Sequence, residues 1–351
     1  MNIVFIGTNY SGRGGTENVL TQVIKHLAIN NKVVFYKLGR SKTNEWLNSI
    51  SNDAKVITYN TNNKLKELIF ICRIFLMLKG KTIVISTSPN FIKIAYFIKK
   101  FFNKKYKIVS YMHFSLKNQN LFNENVLKYA DFHLAISSSI RKSLIKIGIP
   151  KERIFLIFNP IYRKKDVILG AKNTPYDLSL AYVGRVYLRG QKNLLEAIEG
   201  IEKSKLNIHL DILGSGPDIH NLKRIIREKN LEEKISVLGW IKNPWSILKD
   251  KGIDGLILTS NFEGLPMVLL EAMSYGIPCI VSDFEGFDDV IISKVNGLSY
   301  KLGDINDLEN TFNTFSTYSF SSKTVKESIN SFYSDVFFSR LDQAIESINS
   351  K

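Results

Sequence analysis

A chain of 351 residues is long enough for two domains with cores of their own, and a composition 44% hydrophobic and 23% charged excludes disorder as the main state. The two cysteines, Cys72 and Cys279, lie far apart in apolar runs, which excludes a disulfide framework and suggests buried thiols in a reducing compartment; the five histidines show no ligand spacing for zinc. Charge is uneven: residues 1–175 hold 29 Lys and Arg against 8 Asp and Glu, whereas residues 176–351 hold 19 against 24, giving +21 and −5 within an overall +16.

In chain order, "NIVFIGTNYSGRGGTENVLTQVIKHLA" predicts strand, glycine-rich loop and helix, the helix beginning near Thr16. The opening "MNIVFIGTNYSG" is too polar after its apolar start for a signal peptide, so a cytoplasmic protein is expected. Strands follow near "KVVFYKL", "TIVIST", "KIVSYMH" and "FHLAIS". The 11-residue apolar run from Leu68, "LIFICRIFLML", falls short of the ~20 residues of a spanning helix and predicts a buried one. The segment "FIKIAYFIKKFFNKKYK", residues 91–107, predicts a basic amphipathic helix suited to an anionic membrane face, with an ordinary solvated helix as the alternative. Nucleic acid is not expected as a partner, since no recognised binding module accompanies these cations. A polar stretch, "YRKKDVILGAKNTPYDL", reads as a linker. Beyond it "LSLAYVGRVYLRGQKNLLEAIEGI" repeats the strand–loop–helix unit, and strands near "NIHLDIL", "KISVLGW", "DGLILTS" and "PCIVSD" alternate with helices. Such alternation predicts an α/β chain of two doubly wound, Rossmann-like parallel-sheet domains, 1–165 and 176–334, facing a cleft; the helical pattern of 335–351 can return to the first. Ligands in such sheets bind at the carboxyl ends of the strands.

Three loops carry candidate chemistry. Gly12, Gly14 and Gly15 precede a helix, where backbone N–H groups can cradle phosphate; a plain tight turn is the competing reading. The loop does not complete G-x-G-x-x-G, and the next strand lacks the acidic residue of a nicotinamide site. Arg185 and Lys192, after the first strand of the second half, can bracket a diphosphate. In "TSNFEGLPMVLLEAMSYGIPC", Pro266 suits a helix start and Gly276 its end, so Glu263 lies in the entering loop and Glu271 inside the helix. A capping box from Ser260 to Glu263 would run the helix through Gly264 and Pro266, at about 3 kcal/mol for the proline. The alternative turns both carboxylates towards ligand hydroxyls, as a sugar supplies.

With "GGTE", "GR" plus Lys192 and "FEGLPMVLLEAMSYGIPCIVSD" in order, the sequence resembles the retaining, nucleotide-sugar-dependent glycosyltransferases of family 4, of GT-B architecture. It is more closely similar to the lipopolysaccharide 1,6-galactosyltransferases through "HFSL" at His113, "ADFHLAISSSI", "IFNPI", "YVGR…GQK" and "GW…PW" at Trp240 and Trp245. The resemblance implies catalytic or binding roles for several positions. Glu263 would lie beside the donor sugar with the amides of Gly264 and Leu265, Glu271 would hold ribose hydroxyls, Arg185 and Lys192 would neutralise the departing diphosphate, Gly14 and Gly15 would approach it from the other domain, and His113 would lie near the reaction centre. A structural strand-end role is the alternative for His113.

The implied enzyme is a hexosyltransferase acting with retention. It would use a UDP-sugar, most simply UDP-galactose, and a lipopolysaccharide core or other glycolipid or polysaccharide acceptor, and would sit peripherally on the inner face of the cytoplasmic membrane. No cofactor and no obligatory metal are expected; no strict D-x-D occurs. One departure stands out: after "VSD" the galactosyltransferase pattern has a Ser-Gly-Pro turn, where this chain reads "FEGFDDVI". That leaves UDP-glucose or a UDP-N-acetylhexosamine, for capsule or exopolysaccharide, as alternative donors. A nucleotide-sugar epimerase and a non-catalytic membrane or nucleic-acid binding protein are the remaining readings.

Overall fold

The computed structural model describes residues 1–8, 10, 12, 14–40, 43–116, 122–170 and 175–351. Contacts divide the chain into two compact units, Met1–Pro160 with Asp335–Lys351, and Ile161–Ser334.

In the first unit, strands β1 (Asn2–Thr8), β2 (Lys32–Leu38), β3 (Lys55–Tyr59), β4 (Thr82–Ser86), β5 (Lys107–Ser110), β6 (Phe132–Ala135) and β7 (Ile154–Leu156) form one sheet in the order β3-β2-β1-β4-β5-β6-β7. Every pairing is parallel. Helices α1 (Gly15–Ala28), α2 (Glu45–Asn48), α3 (Lys64–Met77), α4 (Pro89–Phe101) and α5 (Ser138–Lys146) make the crossovers. Central strands are buried on both faces, which is why β1 and β4 read as continuous apolar runs. Strands β3 and β7 have no counterpart in the sequence reading. They are short edge strands with half-buried residues, so neither gives an uninterrupted apolar run.

The apolar run from Leu68 is a correction to expectation. It lies in α3, but only one face is buried, through Ile71, Ile74 and Phe75, while Leu65, Leu68, Ile69 and Met77 are exposed. A helix covering the outside of a sheet needs a single apolar face, and α3 has two.

The second unit holds β8 (Leu178–Val183), β9 (Ile208–Leu213), β10 (Ile235–Gly239), β11 (Gly255–Leu258), β12 (Cys279–Ser282) and β13 (Gly297–Tyr300), in the order β10-β9-β8-β11-β12-β13. Its helices are α6 (Leu194–Lys203), α7 (Ile219–Glu228), α8 (Pro244–Lys251), α9 (Met267–Ser274), α10 (Ile305–Thr317) and α11 (Ser322–Ser328). Leu180, Tyr182, Ile198, Leu210, Ile212, Ile257, Ile280 and Phe312 belong to its main core. The last helix, α12 (Ser334–Ser350), packs on the first unit, where the His26 ring stacks on Phe338 at 4.1 Å and bonds Asp342 at 2.9 Å.

The stretch read as a linker is in large part packed structure. Ile168 N–H donates to the Tyr275 carbonyl at 3.1 Å, Leu169 bridges Ile253, and the Lys326 ammonium caps the carbonyls of Lys164 and Asp166. Residues 171–174 of that stretch lie outside the described residues.

Candidate active site

Both sheets reverse their winding direction at one place, between β1 and β4 in the first unit and between β8 and β11 in the second. Loops leaving the carboxyl ends of those neighbouring strands diverge and leave a crevice. In the second unit these are the loops 184–193 and 259–266, and they are stitched together. Asn261 N–H donates to the Gln191 carbonyl at 2.8 Å, its side-chain amide to the Gly190 carbonyl at 2.5 Å, and Thr259 Oγ1 to the Lys192 carbonyl at 3.1 Å.

Glu263 is the centre of this arrangement. Its side chain is 9% exposed, and its Oε1 accepts from Lys192 Nζ at 2.6 Å and Ser260 Oγ at 2.7 Å, while Gln191 Nε2 lies 3.4 Å from Oε2. A carboxylate so far from water needs such partners, and the cation and hydroxyl fix its orientation. Ser260 bonds Glu263 side chain to side chain, not through the backbone N–H groups a capping box uses, and no helix starts there. Helix α9 begins at Met267 after Pro266, and Gly276, at φ 79°, ends it. Gly264 and Leu265 continue the same loop, the Leu265 side chain buried.

Arg185 follows β8 on the exposed side of loop 184–193, and its guanidinium makes no ion pair among the described residues. The backbone behind it is fixed from below: the buried Tyr182 hydroxyl donates to the Arg185 carbonyl at 2.6 Å, and burial together with the Glu263 charge pushes the phenol pKa up. A third loop braces the same turn. A Cβ on Gly214 would stand 1.7 Å from the Gly184 carbonyl oxygen, and one on Gly216 2.1 Å from that of Val186. Val186 N–H donates to the Ser215 carbonyl at 3.1 Å and Leu188 N–H to Asp218 Oδ2 at 2.9 Å. The sequence reading passed over Gly214 and Gly216; the signal was present as two glycines in "LGSGP" directly after a strand. It also gave Gln191 and Lys164 no role.

Glu271 lies half-buried on the second turn of α9. Its Oε2 accepts from the Trp245 indole N–H at 3.3 Å, and Trp245 stacks on Tyr275 at 5.5 Å. Burial pushes its pKa up to about 7, against the opposing pull of Trp245 and the Lys164 charge. Near neutrality such a carboxyl can either accept or donate a hydrogen bond. Beyond β12, Asp283 accepts from Leu302 N–H at 2.8 Å, and Glu285 and Asp288 are exposed.

The first unit's loop differs. Helix α1 starts at Gly15 with Gly14 as its N-cap; Ser11 and Arg13 of the loop lie outside the described residues. Gly12 N–H and Gly14 N–H both donate to the Glu17 carboxylate, at 2.6 and 3.1 Å. Two of the amides read as a phosphate cradle, those of Gly12 and Gly14, thus face a carboxylate of their own helix. His113 follows β5 against the Tyr111 ring at 4.1 Å. Neither of its ring nitrogens has a partner among the described residues, and burial lowers its pKa to about 3, so the imidazole is neutral. Among the described residues no group of three or more His, Cys, Asp and Glu side chains comes together as metal ligands do.

Two Rossmann-like parallel-sheet units in one chain, the second with a buried carboxylate and cations at its switch point, define the GT-B class of fold. The model of the glycosyl transferases group 1 family matches residues 170–328. The lipopolysaccharide 1,6-galactosyltransferase of Escherichia coli K12 is 31% identical over 100% of this chain and 99% of its own. That of Salmonella typhimurium LT2 is 32% identical over 98% of each. Among solved structures, the lipopolysaccharide outer core galactosyltransferase WaaB in apo form superposes with a TM-score of 0.85 at 30% identity, covering 99% of both chains. Anabaena HepE in complex with UDP matches the fold with a TM-score of 0.77 at 17% identity, over 100% of both chains. The chain belongs to the group 1 glycosyltransferases and is a glycosyltransferase akin to the lipopolysaccharide galactosyltransferases.

Proposed function

We propose that the enzyme transfers galactose from UDP-galactose, with retention at the anomeric carbon, to a lipopolysaccharide core or related glycolipid acceptor. The observation that carries this reading is Glu263, held by Lys192 and Ser260 at the switch point beside the exposed Arg185. The galactosyl group in the reading follows the named activity of the relatives matched over the full chain.

In this reading the anomeric C–O bond to the diphosphate breaks, its electron pair goes to the diphosphate oxygen, and the acceptor hydroxyl adds to the anomeric carbon as its proton passes to that departing diphosphate oxygen. Charge develops on the leaving group, and fixed cations aimed there lower the barrier more than they stabilise the ground state. Arg185 suits bidentate contact with the diphosphate, and Lys192 reaches it from its place beside Glu263. Glu263 accepts from sugar hydroxyls, with the amides of Gly264 and Leu265 alongside, and Glu271 accepts from the ribose. His113, held neutral, bonds a hydroxyl through nitrogens that have no partner among the described residues. These cations supply the electrostatic stabilisation without a resident metal.

The basic first unit is assigned to an anionic membrane surface on the cytoplasmic side, where a lipid-linked acceptor is available; no described helix is long and apolar enough to cross a membrane. The acidic turn after β12 favours one second reading, a donor with glucose or an N-acetylhexosamine in place of galactose.

The test is UDP release from a panel of UDP-sugars, with and without truncated lipopolysaccharide core and with EDTA, for the wild type and Glu263→Ala. Acceptor-stimulated release from UDP-galactose, insensitive to EDTA and lost in the variant, is expected. Release from UDP-glucose alone overturns the donor, and turnover unchanged by Glu263→Ala overturns the site.

A further inference from the structure

Helices α3 and α4 pack side by side, and each carries apolar residues on the side away from the sheet. On α3, Leu65, Leu68, Ile69 and Met77 are 64%, 43%, 48% and 72% exposed. On α4, Phe91, Ile92, Ala95 and Ile98 are buried beneath the helix, while Phe97 and Phe101 are 39% and 77% exposed, followed by Phe102 at 58%.

The carboxyl ends of the two helices are fixed together. The Lys104 ammonium donates to the carbonyl of Leu76, one of the acceptors a helix end leaves unpaired, and the rings of Phe75 and Tyr106 lie 6.0 Å apart. Met77 therefore stands next to the turn that carries Phe101 and Phe102. Around this apolar tip Arg73, Lys79, Lys100 and Lys105 are exposed, and none forms an ion pair among the described residues.

We propose that the joined ends of α3 and α4 are a membrane-insertion tip, with Met77, Phe101 and Phe102 entering the boundary between headgroups and acyl chains and the surrounding cations lying among anionic headgroups. The proposal rests on the membrane reading above and gives it a structural element: two helices that insert, where charge alone would only attract. Apolar side chains ringed by Lys and Arg match the interfacial layer of a bilayer, which is apolar beneath and anionic above. A second copy of the chain is a poorer occupant. A self-complementary contact would bring the same cations face to face.

The test is co-sedimentation of the full chain with vesicles of phosphatidylcholine alone and with a third of phosphatidylglycerol. The proteins are the wild type, a Met77→Ser/Phe101→Ser/Phe102→Ser variant and a Lys100→Glu/Lys105→Glu variant. All five positions are on the surface, and thermal melting together with UDP release on a water-soluble acceptor confirms that each variant is folded. Binding to the anionic vesicles, about tenfold weaker in either variant and weak on neutral vesicles, is the expected result. Equal binding to both vesicle types, or anionic binding unchanged by the three serines, overturns the proposal. A dimer that the serines dissociate, without vesicle binding, assigns the tip to a second copy and overturns it too. Vesicle binding without sugar transfer would leave the tip standing and remove the transfer reading instead.

Discussion

The two units share a strand order and a glycine-containing loop after their first strand, yet they present different chemistry at the switch point. In the second unit the loop after β8 leaves Arg185 exposed and pairs Lys192 with a buried carboxylate from a neighbouring strand's loop, so cation and carboxylate stand together at the switch point. In the first, Gly12 and Gly14 give their amides to Glu17, four-percent exposed on the same helix, and the candidate after β5 is the neutral His113. One topology can thus carry a cation–carboxylate pair between two loops in one copy and a loop bonded to its own helix in the other. What differs is where the acidic residue comes from: another strand's loop, or the third residue of the loop's own helix.

The sharpest test of that contrast is Glu263→Gln. It keeps the shape but leaves Lys192 buried beside a neutral amide, and turnover is expected to fall about 10²–10³-fold with substrate binding less affected. Turnover within twofold of wild type would show that the second switch point is not the reaction site. Next in size, Gly214→Ala forces a methyl group to within 1.7 Å of the Gly184 carbonyl. The loop after β8 must shift, and the urea transition of the second unit should move by about 2–3 kcal/mol. An unmoved transition means the three loops yield independently, and the bracing of Arg185 is then not structural.

Glu271 gives a pH-dependent outcome. Its folded pKa of about 7 lies above the ordinary 4.5, so its contribution to stability is fully present below about pH 4.5 and is lost as pH rises through 7. Glu271→Gln should stabilise the second unit at pH 8 by about 2 kcal/mol, a figure reduced for its partial exposure, and by almost nothing at pH 4.5. Equal gains at both pH values would mean that its charge is not held away from water. The smallest effect concerns the first unit. Glu17→Ala removes the acceptor for two loop amides and should lower thermal stability by about 1–2 kcal/mol, without tightening UDP binding. Tighter UDP binding in that variant would mean that Glu17 masks an anion site, and the contrast between the units would narrow.

Much of this was legible before any coordinates. The alternation of strands and helices, the helix start at Pro266 and its stop at Gly276 follow from local propensity and steric rules, because proline and glycine act within one or two residues of themselves. The sequence placed Glu263 outside the helix for that reason. It also marked Arg185 and Lys192, since cations after a strand in such a fold end at its ligand-binding edge.

The sequence by itself, then, determined the class of fold, the uneven charge and the candidate carboxylates and cations. Tertiary structure alone decided which of them meet. The pairing of Lys192 with Glu263 spans 71 positions, the Gly214–Gly184 contact depends on neighbouring strands, and Trp245 reaches Glu271 from another helix. The second apolar face of α3 belongs here as well, because a run of hydrophobic residues gives no sign of how much of it the sheet can cover. Propensity is a property of neighbours in sequence, whereas burial, pairing and pKa depend on groups that only chain folding brings within a few ångströms.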